Sequence, residues 1–498
     1  MQRRSRSLLC LLALLLLAPP TGAPLAASTT STGSEVELDR LKSAVNQQVR
    51  DALQVSRELG VHIVEVHSGR EVYSYRGETP RIAASNTKLA TSAAALNRLG
   101  PGFFFETPVK LRGETRDGVL FGDLGVVGGG DPNISGRHYL GDPFGAFREW
   151  AAALRARGVR QIAGEIVLAS GFFDKQYVHP DWPENQLDRW YEAPVAALSF
   201  NDNCVLVEVR PTGGEQAEVV LTPQLPLFRV GGQVDITGRS REQSVRIGRR
   251  TDVRDLRMLR TYNVYGRIYQ RSAPVDKWVT VHDPIAYFGA ALVRGLQEEG
   301  IVVHGKVVEA NRLEGADWRP LLVHRSDLLT TLDVVNKRSQ NFYSESVIKL
   351  LGARHCGEGS WPAGTRAVGE FLDAAGVDRG WSLADGSGMS RGNRFAPRQL
   401  TQVLRYMFRH RWGAEFVRTL PYSGEAGLSW HDRLDEAPYG GNVLAKTGTL
   451  NGVSTLSGFA KGRSGTLYAF SILCNRTTAN WRAKRAQDSI LRALIDHG

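Results

Sequence analysis

Cysteine is scarce in this chain, with four among 498 residues. Cys10 falls in an apolar run at the amino terminus, which leaves Cys204, Cys356 and Cys474. Three thiols allow at most one bridge and exclude a disulfide framework; whether Cys356 pairs with Cys474 stays open. Their spacing suits no metal site and no His-Glu-x-x-His is present, so neither a metal nor another cofactor is expected. A lipase- or esterase-type hydrolase is not the expected class, because the three motifs described below point elsewhere. Gly128-Gly129-Gly130-Asp131-Pro132 reads as a loop, because the fingerprint and following helix of a phosphate cradle are missing. No internal repeat and no low-complexity linker interrupts the chain. The formal charge is +11, a balance that suits polyanionic surroundings. No nucleic-acid motif goes with it, and no nucleic-acid partner is expected.

What is present starts with a sorting signal. Arg3, Arg4 and Arg6 precede the apolar run Leu8 to Leu17, and Pro19, Pro20 and small residues follow as far as Ala27. A basic start, a short apolar core and small residues describe a secretory signal peptide over 1–27. The run is too short to cross a bilayer comfortably, so no stable membrane span is expected. Cys10 follows Leu9 with no small residue before it, which argues against a lipoprotein anchor. The mature protein is expected to be exported. At this length it has room for two or three domains.

In order along the chain, Glu35 to Leu59 has the pattern of an amphipathic helix. Val61 to Val66 alternates like a half-buried strand, and Glu71 to Tyr75 returns as its hairpin partner after Ser68-Gly69. A helix is expected from Ser85, with Ser85 as N-cap, to Gly100. From Phe103 the pattern changes to short strands with glycine punctuation, broken by helices starting at Asp142-Pro143 and Asp283-Pro284. After about Leu321 helices dominate, with a break at Arg338-Ser339-Gln340-Asn341. The end reads as three antiparallel strands, Asn442 to Leu450, Val453 to Ala460 and Thr466 to Cys474, and a helix from Asn480.

Three short signals carry chemistry. In Ser85-Asn86-Thr87-Lys88, residues three apart share a helix face, so the Ser85 hydroxyl and the Lys88 amine can meet. A serine is a poor nucleophile until a base takes its proton, and a lysine serves if burial and the helix dipole lower its pKa. Ser346 and Lys349 repeat the spacing, so the pair alone is weak evidence. Ser339-x-Asn341 sits between two helices; Ser199-Phe200-Asn201 competes with it from a β-rich stretch. Lys446-Thr447-Gly448-Thr449 lies on an expected edge strand able to accept an extended peptide, with Gly448 permitting close backbone approach.

Ser-x-x-Lys, Ser-x-Asn and Lys-Thr-Gly in this order are the three elements of the serine penicillin-recognising enzymes. The stretches Ala83 to Leu89, Leu96 to Pro101, Gly128 to Pro132, Asn201 to Cys204, Asp385 to Arg391 and Ala445 to Leu450 narrow the match. Together they resemble the D-alanyl-D-alanine carboxypeptidase/endopeptidase family, the class C low-molecular-mass penicillin-binding proteins (peptidase family S13). The resemblance implies an α/β (α+β) fold. A transpeptidase/β-lactamase-like domain, its antiparallel sheet flanked by helices, would be built from 35–103 and 318–498. Two smaller, mostly β domains would be inserted, one from 104–198 with 270–317 and one from 199–269.

The resemblance also implies roles. Ser85 attacks the penultimate D-alanine carbonyl of a peptidoglycan stem peptide, with Lys88 as base. Ser339 relays a proton to the leaving amine, held by Asn341 and Lys446. Thr447 and Thr449 bind the terminal carboxylate beside Gly448, and the N–H groups of Ser85 and Thr449 form the oxyanion hole. For Phe172 and Asp174 two readings stand, a subsite for the stem's diamino-acid side chain or plain loop packing and a cap. β-Lactams are the implied inhibitors, and the bacterial periplasm or cell envelope the implied location. Two positions depart from the pattern: Gln340 replaces the usual aspartate, with little loss expected, and Leu450 stands where methionine is common. A secreted β-lactamase shares the motifs, and Glu184-Asn185-Gln186-Leu187-Asp188 resembles the class A deacylating segment, but it precedes Ser339 and the chain is too long. An inactive peptidoglycan-binding homologue is the other alternative.

Overall fold

The computed structural model describes residues 31–428 and 430–498; the expected signal peptide lies outside them. The described residues form two compact units. The first holds the chain up to Phe103, Leu332–Gln340 and Gly364–Gly498, and the second holds Phe104–Thr331 and Asn341–Ala363. The change of unit at Phe103 falls where the sequence pattern changes.

The first unit is built on a five-stranded antiparallel sheet. Its strands are β1 (Ser56–Glu65), β2 (Glu71–Tyr75), β3 (Val443–Leu450), β4 (Val453–Lys461) and β5 (Leu467–Thr477), in the order β3-β4-β5-β1-β2. The two chain ends meet in the middle, where Ile63 of β1 pairs with Phe470 of β5. The helices of this unit include α1 (Ser31–Ala52), α2 (Thr87–Leu99), α3 (Pro397–Arg409) and α4 (Asn480–His497). Leu41, Val45 and Val49 of α1 and Leu491, Leu494 and Ile495 of α4 share one core with Val61, Ile63, Leu456 and Ile472. His62 lies on the other face of β1, and its Nδ1 meets Thr401 Oγ1 of α3 at 2.7 Å. With helices on both faces, β4 and β5 are buried almost end to end and not in alternation.

Two expectations need correcting. The first helix stops at Ala52, not at Leu59. Residues from Ser56 on pair with β5, and the ladder with Tyr468–Thr477 outweighs the helical period. The second correction is at Asp142: its helix runs Gly145–Ala156, and the Asp142 carboxylate caps the turn before it by accepting from Phe144 N at 3.0 Å. By contrast, Asp283 caps Pro284–Glu298 as its sequence predicts, accepting from Ala286 N at 2.9 Å.

The second unit carries a seven-stranded mixed sheet and two three-stranded sheets. Val119–Val127 runs antiparallel to Phe104–Arg116 but parallel to Ile166–Ala169. Helices Gly145–Ala156 and Pro284–Glu298 contribute Phe147, Trp150, Phe288 and Leu292 to a core that also holds Val205, Val207, Tyr262 and Val264 from the small sheets. The helix Asn341–Cys356 belongs here and is buried from Asn341 to Gly352. Cys204, Cys356 and Cys474 are all free thiols.

Candidate active site

The nucleophile motif begins as a tight turn. Ala84–Asn86 is a 3₁₀ turn that runs into α2 from Thr87, and the N-cap of α2 is Asn86, with no side-chain cap bond. Ser85 therefore does not cap, contrary to expectation, and its half-buried hydroxyl accepts from Lys88 Nζ at 3.1 Å. Ala84 holds φ at +46°, a left-handed backbone that a β-carbon disfavours and that persists only where the surroundings fix it. Those surroundings are identifiable. Thr455 Oγ1 of β4 donates to Ala83 O at 3.0 Å, and Asn86 Nδ2 donates to Lys446 O at 2.8 Å.

Two glycines let the neighbouring elements close on this turn. A Cβ on Gly448 would fall 2.9 Å from Ser85 N, and one on Gly388 would fall 1.8 Å from Ala84 O. What crowds Gly448 is thus this chain itself, Thr455 Oγ1 of β4 first and then the serine turn. Gly388 belongs to the loop Asp385–Arg391, which the sequence marked without a role. Its Ser387 O accepts from buried Lys88 Nζ at 2.8 Å, and Gly386 O accepts from Thr91 Oγ1 at 2.8 Å. The loop is held by the buried Asp385 carboxylate, which accepts from Gly388 N (2.7 Å), Ser390 N (2.6 Å) and Asn393 Nδ2 (2.8 Å). The run Asp385-Gly386-Ser387-Gly388 is the turn-forming signal that marks it in the sequence.

The second serine–lysine pair forms at the sheet edge. Lys446 on β3 is fully buried, and its Nζ donates to Ser339 Oγ and to Thr447 O, each at 2.8 Å. Burial strips the ammonium of water and Lys88 adds a like charge, so the Lys446 pKa lies well below the lysine range. Ser339 has φ of +56° at the end of the helix Leu328–Lys337. That helix is tied to α2 through Asn336, whose Oδ1 accepts from Ser92 Oγ at 3.3 Å. Gln340 is buried.

β3 is an edge strand, and Pro421–Ser423 covers its beginning: Ala445 N donates to Pro421 O (3.0 Å) and Ser423 N to Val443 O (2.9 Å). The alternation of an antiparallel strand turns the N–H groups of Thr447 and Thr449 to the same edge, past that cover. Thr447 is half-buried and Thr449 exposed. The structure thus brings Ser85, Lys88, Ser339, Lys446, Thr447, Gly448 and Thr449 into one unit.

Asn341, Phe172 and Asp174 belong to the second unit. Asn341 opens the helix to Cys356, and its Nδ2 donates to Tyr191 O at 2.8 Å. Asp174 Oδ1 accepts from buried Lys349 Nζ at 2.6 Å, and Lys349 also sits 3.9 Å over the Trp361 ring. Phe172 stacks on Phe173 at 5.3 Å with Arg354 over its ring. The second Ser-x-x-Lys is therefore structural: Lys349 serves Asp174, and Ser346 Oγ donates to Phe342 O at 3.0 Å. The competing Ser199 is likewise internal, donating to Ala196 O and accepting from Asn203 Nδ2.

Next to Tyr191 lies a group that no motif singles out. Glu192 is buried with neither carboxylate oxygen hydrogen-bonded, and burial, with Asp188 nearby, raises its pKa to about 8. At neutral pH the folded protein holds this proton, whereas the unfolded chain releases it near the usual 4.5. Stability attributable to Glu192 is therefore present below pH 4.5 and falls as pH rises to about 8. Glu192→Gln is expected to be more stable at pH 8, on the order of 3 kcal/mol, with no gain at pH 4. Urea unfolding at the two pH values checks this.

The D-Ala-D-Ala carboxypeptidase 3 (S13) family matches residues 41–494. A D-alanyl-D-alanine carboxypeptidase of Actinomadura sp. is 31% identical over 474 residues, covering 90% of this chain and 84% of the relative. D-alanyl-D-alanine carboxypeptidase DacB of Haemophilus influenzae is 29% identical over 439 residues, 86% of this chain and 88% of the relative. The crystal structure of penicillin binding protein 4 from H. influenzae superposes with a TM-score of 0.76 at 27% identity, covering 89% of this chain and 97% of that one. A complex of that protein with a novel β-lactam gives 0.72 at 26% identity, covering 90% and 99%.

Proposed function

The chain belongs to the D-Ala-D-Ala carboxypeptidase 3 (S13) family of serine-type hydrolases, and from that premise we propose that it is an exported peptidase acting on peptidoglycan stem peptides through an acyl-enzyme on Ser85. The single observation that carries this is the pair of serine–lysine contacts in one unit, Ser85 with Lys88 at 3.1 Å and Ser339 with Lys446 at 2.8 Å. Gly448 closes the lysine-bearing strand onto the serine turn.

In this scheme Ser85 Oγ bonds to the carbonyl carbon of the penultimate D-alanine while Lys88 Nζ takes its proton. The C–N bond to the terminal D-alanine breaks, and Ser339, oriented by Lys446 and Asn341, passes a proton to the leaving amine. The N–H groups of Ser85 and Thr449 hold the oxyanion, and the positive end of α2 favours the same charge. Thr447 and Thr449 take the terminal carboxylate at the edge of β3. Water then cleaves the ester and frees Ser85. Phe172 and the second oxygen of Asp174 receive the diamino-acid side chain, and the same machinery opens D-alanyl cross-links whose bonds reach Ser85. Export follows from the segment 1–27, and the periplasm or cell envelope is where the substrate is. The domain scheme that goes with this function is a catalytic domain of 35–103 and 318–498 with two inserted domains, 104–198 with 270–317 and 199–269.

Benzylpenicillin separates this function from its alternatives. Intact-protein mass spectrometry is expected to show one stable adduct of the drug's full mass. Rapid turnover of the drug with no adduct would assign a β-lactamase, and intact drug with no adduct an inactive peptidoglycan-binding protein.

A further inference from the structure

The first unit contains a cavity of about 620 Å³ on the α3 side of the sheet, formed by β1, β2, the turn between them, Ala375-Gly376, and α3 with the two residues after it. None of its lining residues belongs to the site described above. Its distinguishing feature is unneutralised positive charge. Arg405 and Arg409 stand one turn apart on α3, and Arg411 follows the helix. Among the described residues no carboxylate comes within ion-pair distance of any of the three. Arg398 is already paired, with Glu78 at 2.9 Å and Asp378 at 3.2 Å. Glu71 is hydrogen-bonded to His62 Nε2 at 3.0 Å and keeps its negative charge, because burial lowers the His62 pKa, so the wall holds three unpaired guanidiniums against one carboxylate.

Like charges at i and i+4 oppose one another, so an unmatched pair of this kind needs something to hold it. Here the holding groups are main-chain carbonyls: Arg405 Nε donates to Val66 O at 3.1 Å, and Arg409 donates to His67 O. The Arg405 guanidinium packs against Gly69, where a Cβ would fall 2.2 Å from its Cζ and where φ is +78°. Each guanidinium is thereby anchored along one edge, with further N–H groups left for a ligand. Arg411 lies over the Trp412 ring at 5.1 Å. Planar, anchored guanidinium forks match the spacing of oxygens on a tetrahedral oxyanion better than ammonium groups do.

We propose that this cavity binds a phosphate group through Arg405, Arg409 and Arg411. The ligand is free phosphate or the phosphate of a saccharide. The volume lies in the range of small-molecule sites, and Gln402 in the wall, whose Oε1 accepts from Asp378 N at 3.0 Å, has its Nε2 group to offer a sugar hydroxyl.

Calorimetric titration of the full chain with inorganic phosphate, glucose 6-phosphate and glucose, at constant ionic strength set with sodium chloride, tests this. Saturable binding of both phosphates and none of glucose is expected. Tighter binding of glucose 6-phosphate would identify a phosphosaccharide site, and equal binding a site for phosphate itself. Arg405→Ala should weaken binding about tenfold or more. Because Arg405 also ties α3 to the β1–β2 turn, Arg411→Ala gives the same test without that risk, since among the described residues the Arg411 guanidinium holds no main-chain group. Absence of saturable binding by either phosphate, or affinity unchanged in both variants, would overturn the proposal.

Discussion

Ser85→Ala is expected to remove benzylpenicillin acylation and to lower D-alanine release from a stem peptide by roughly 10⁴–10⁶-fold, with the fold intact. The fold should survive because the hydroxyl carries little structure. It caps nothing, and Lys88 retains its bond to Ser387 O when Ser85 is gone. The turn itself is held from outside, by Thr455 on Ala83 O and by Gly388 and Gly448 against Ala84 and Ser85. Initial rates, adduct mass and a thermal unfolding curve measured on one preparation check all three parts. An adduct retained in the variant would move the nucleophile elsewhere, and Ser346 is a poor substitute, since its motif lysine is committed to Asp174.

The contrast between the two Ser-x-x-Lys spacings shows where sequence reading stops. Both place serine and lysine on one helical face. Only the tertiary setting decides that Lys88 meets Ser85 while Lys349 turns to Asp174 and Trp361. The antiparallel sheet flanked by helices was legible because β3, β4 and β5 are consecutive strands of sufficient length, and the family-level motifs extended that legibility to their order. The end of α1 was not legible, since the pairing that converts Ser56–Leu59 into strand comes from residues more than four hundred positions away. Nor was the parallel pairing of Ile166–Ala169, a four-residue strand with no period of its own. Within the site, the side chains named by the motifs were visible and their supports were not. The left-handed Ala84, the carbonyl of Ser387 and the Asp385 network are backbone facts. The missing side chain of Gly448 leaves room for Thr455 Oγ1 and Ser85 N.

Lys446 concentrates the cost of this arrangement. A fully buried amine whose pKa is depressed by desolvation and by Lys88 is protonated more readily in the unfolded chain than in the folded one. Between the folded pKa and about 10.5 the unfolded state binds more protons, so this group's contribution to stability rises with pH across that window and is least favourable below it. Lys446→Met keeps the length and apolar stem while removing the ionisable amine. The variant is expected to melt at a higher temperature than the parent at pH 7, with the gain shrinking towards pH 10. Its acylation rate by benzylpenicillin should fall roughly 10²–10³-fold, the usual consequence of deleting one preorganised electrostatic group, because Ser339 Oγ loses the donor at 2.8 Å that orients it. Opposite signs for stability and rate distinguish a strained functional lysine from a structural one. A structural Lys446 would lower the melting temperature when replaced and leave the pH dependence of stability unchanged. Thermal melts at pH 7 and pH 10 beside stopped-time acylation assays decide between the two.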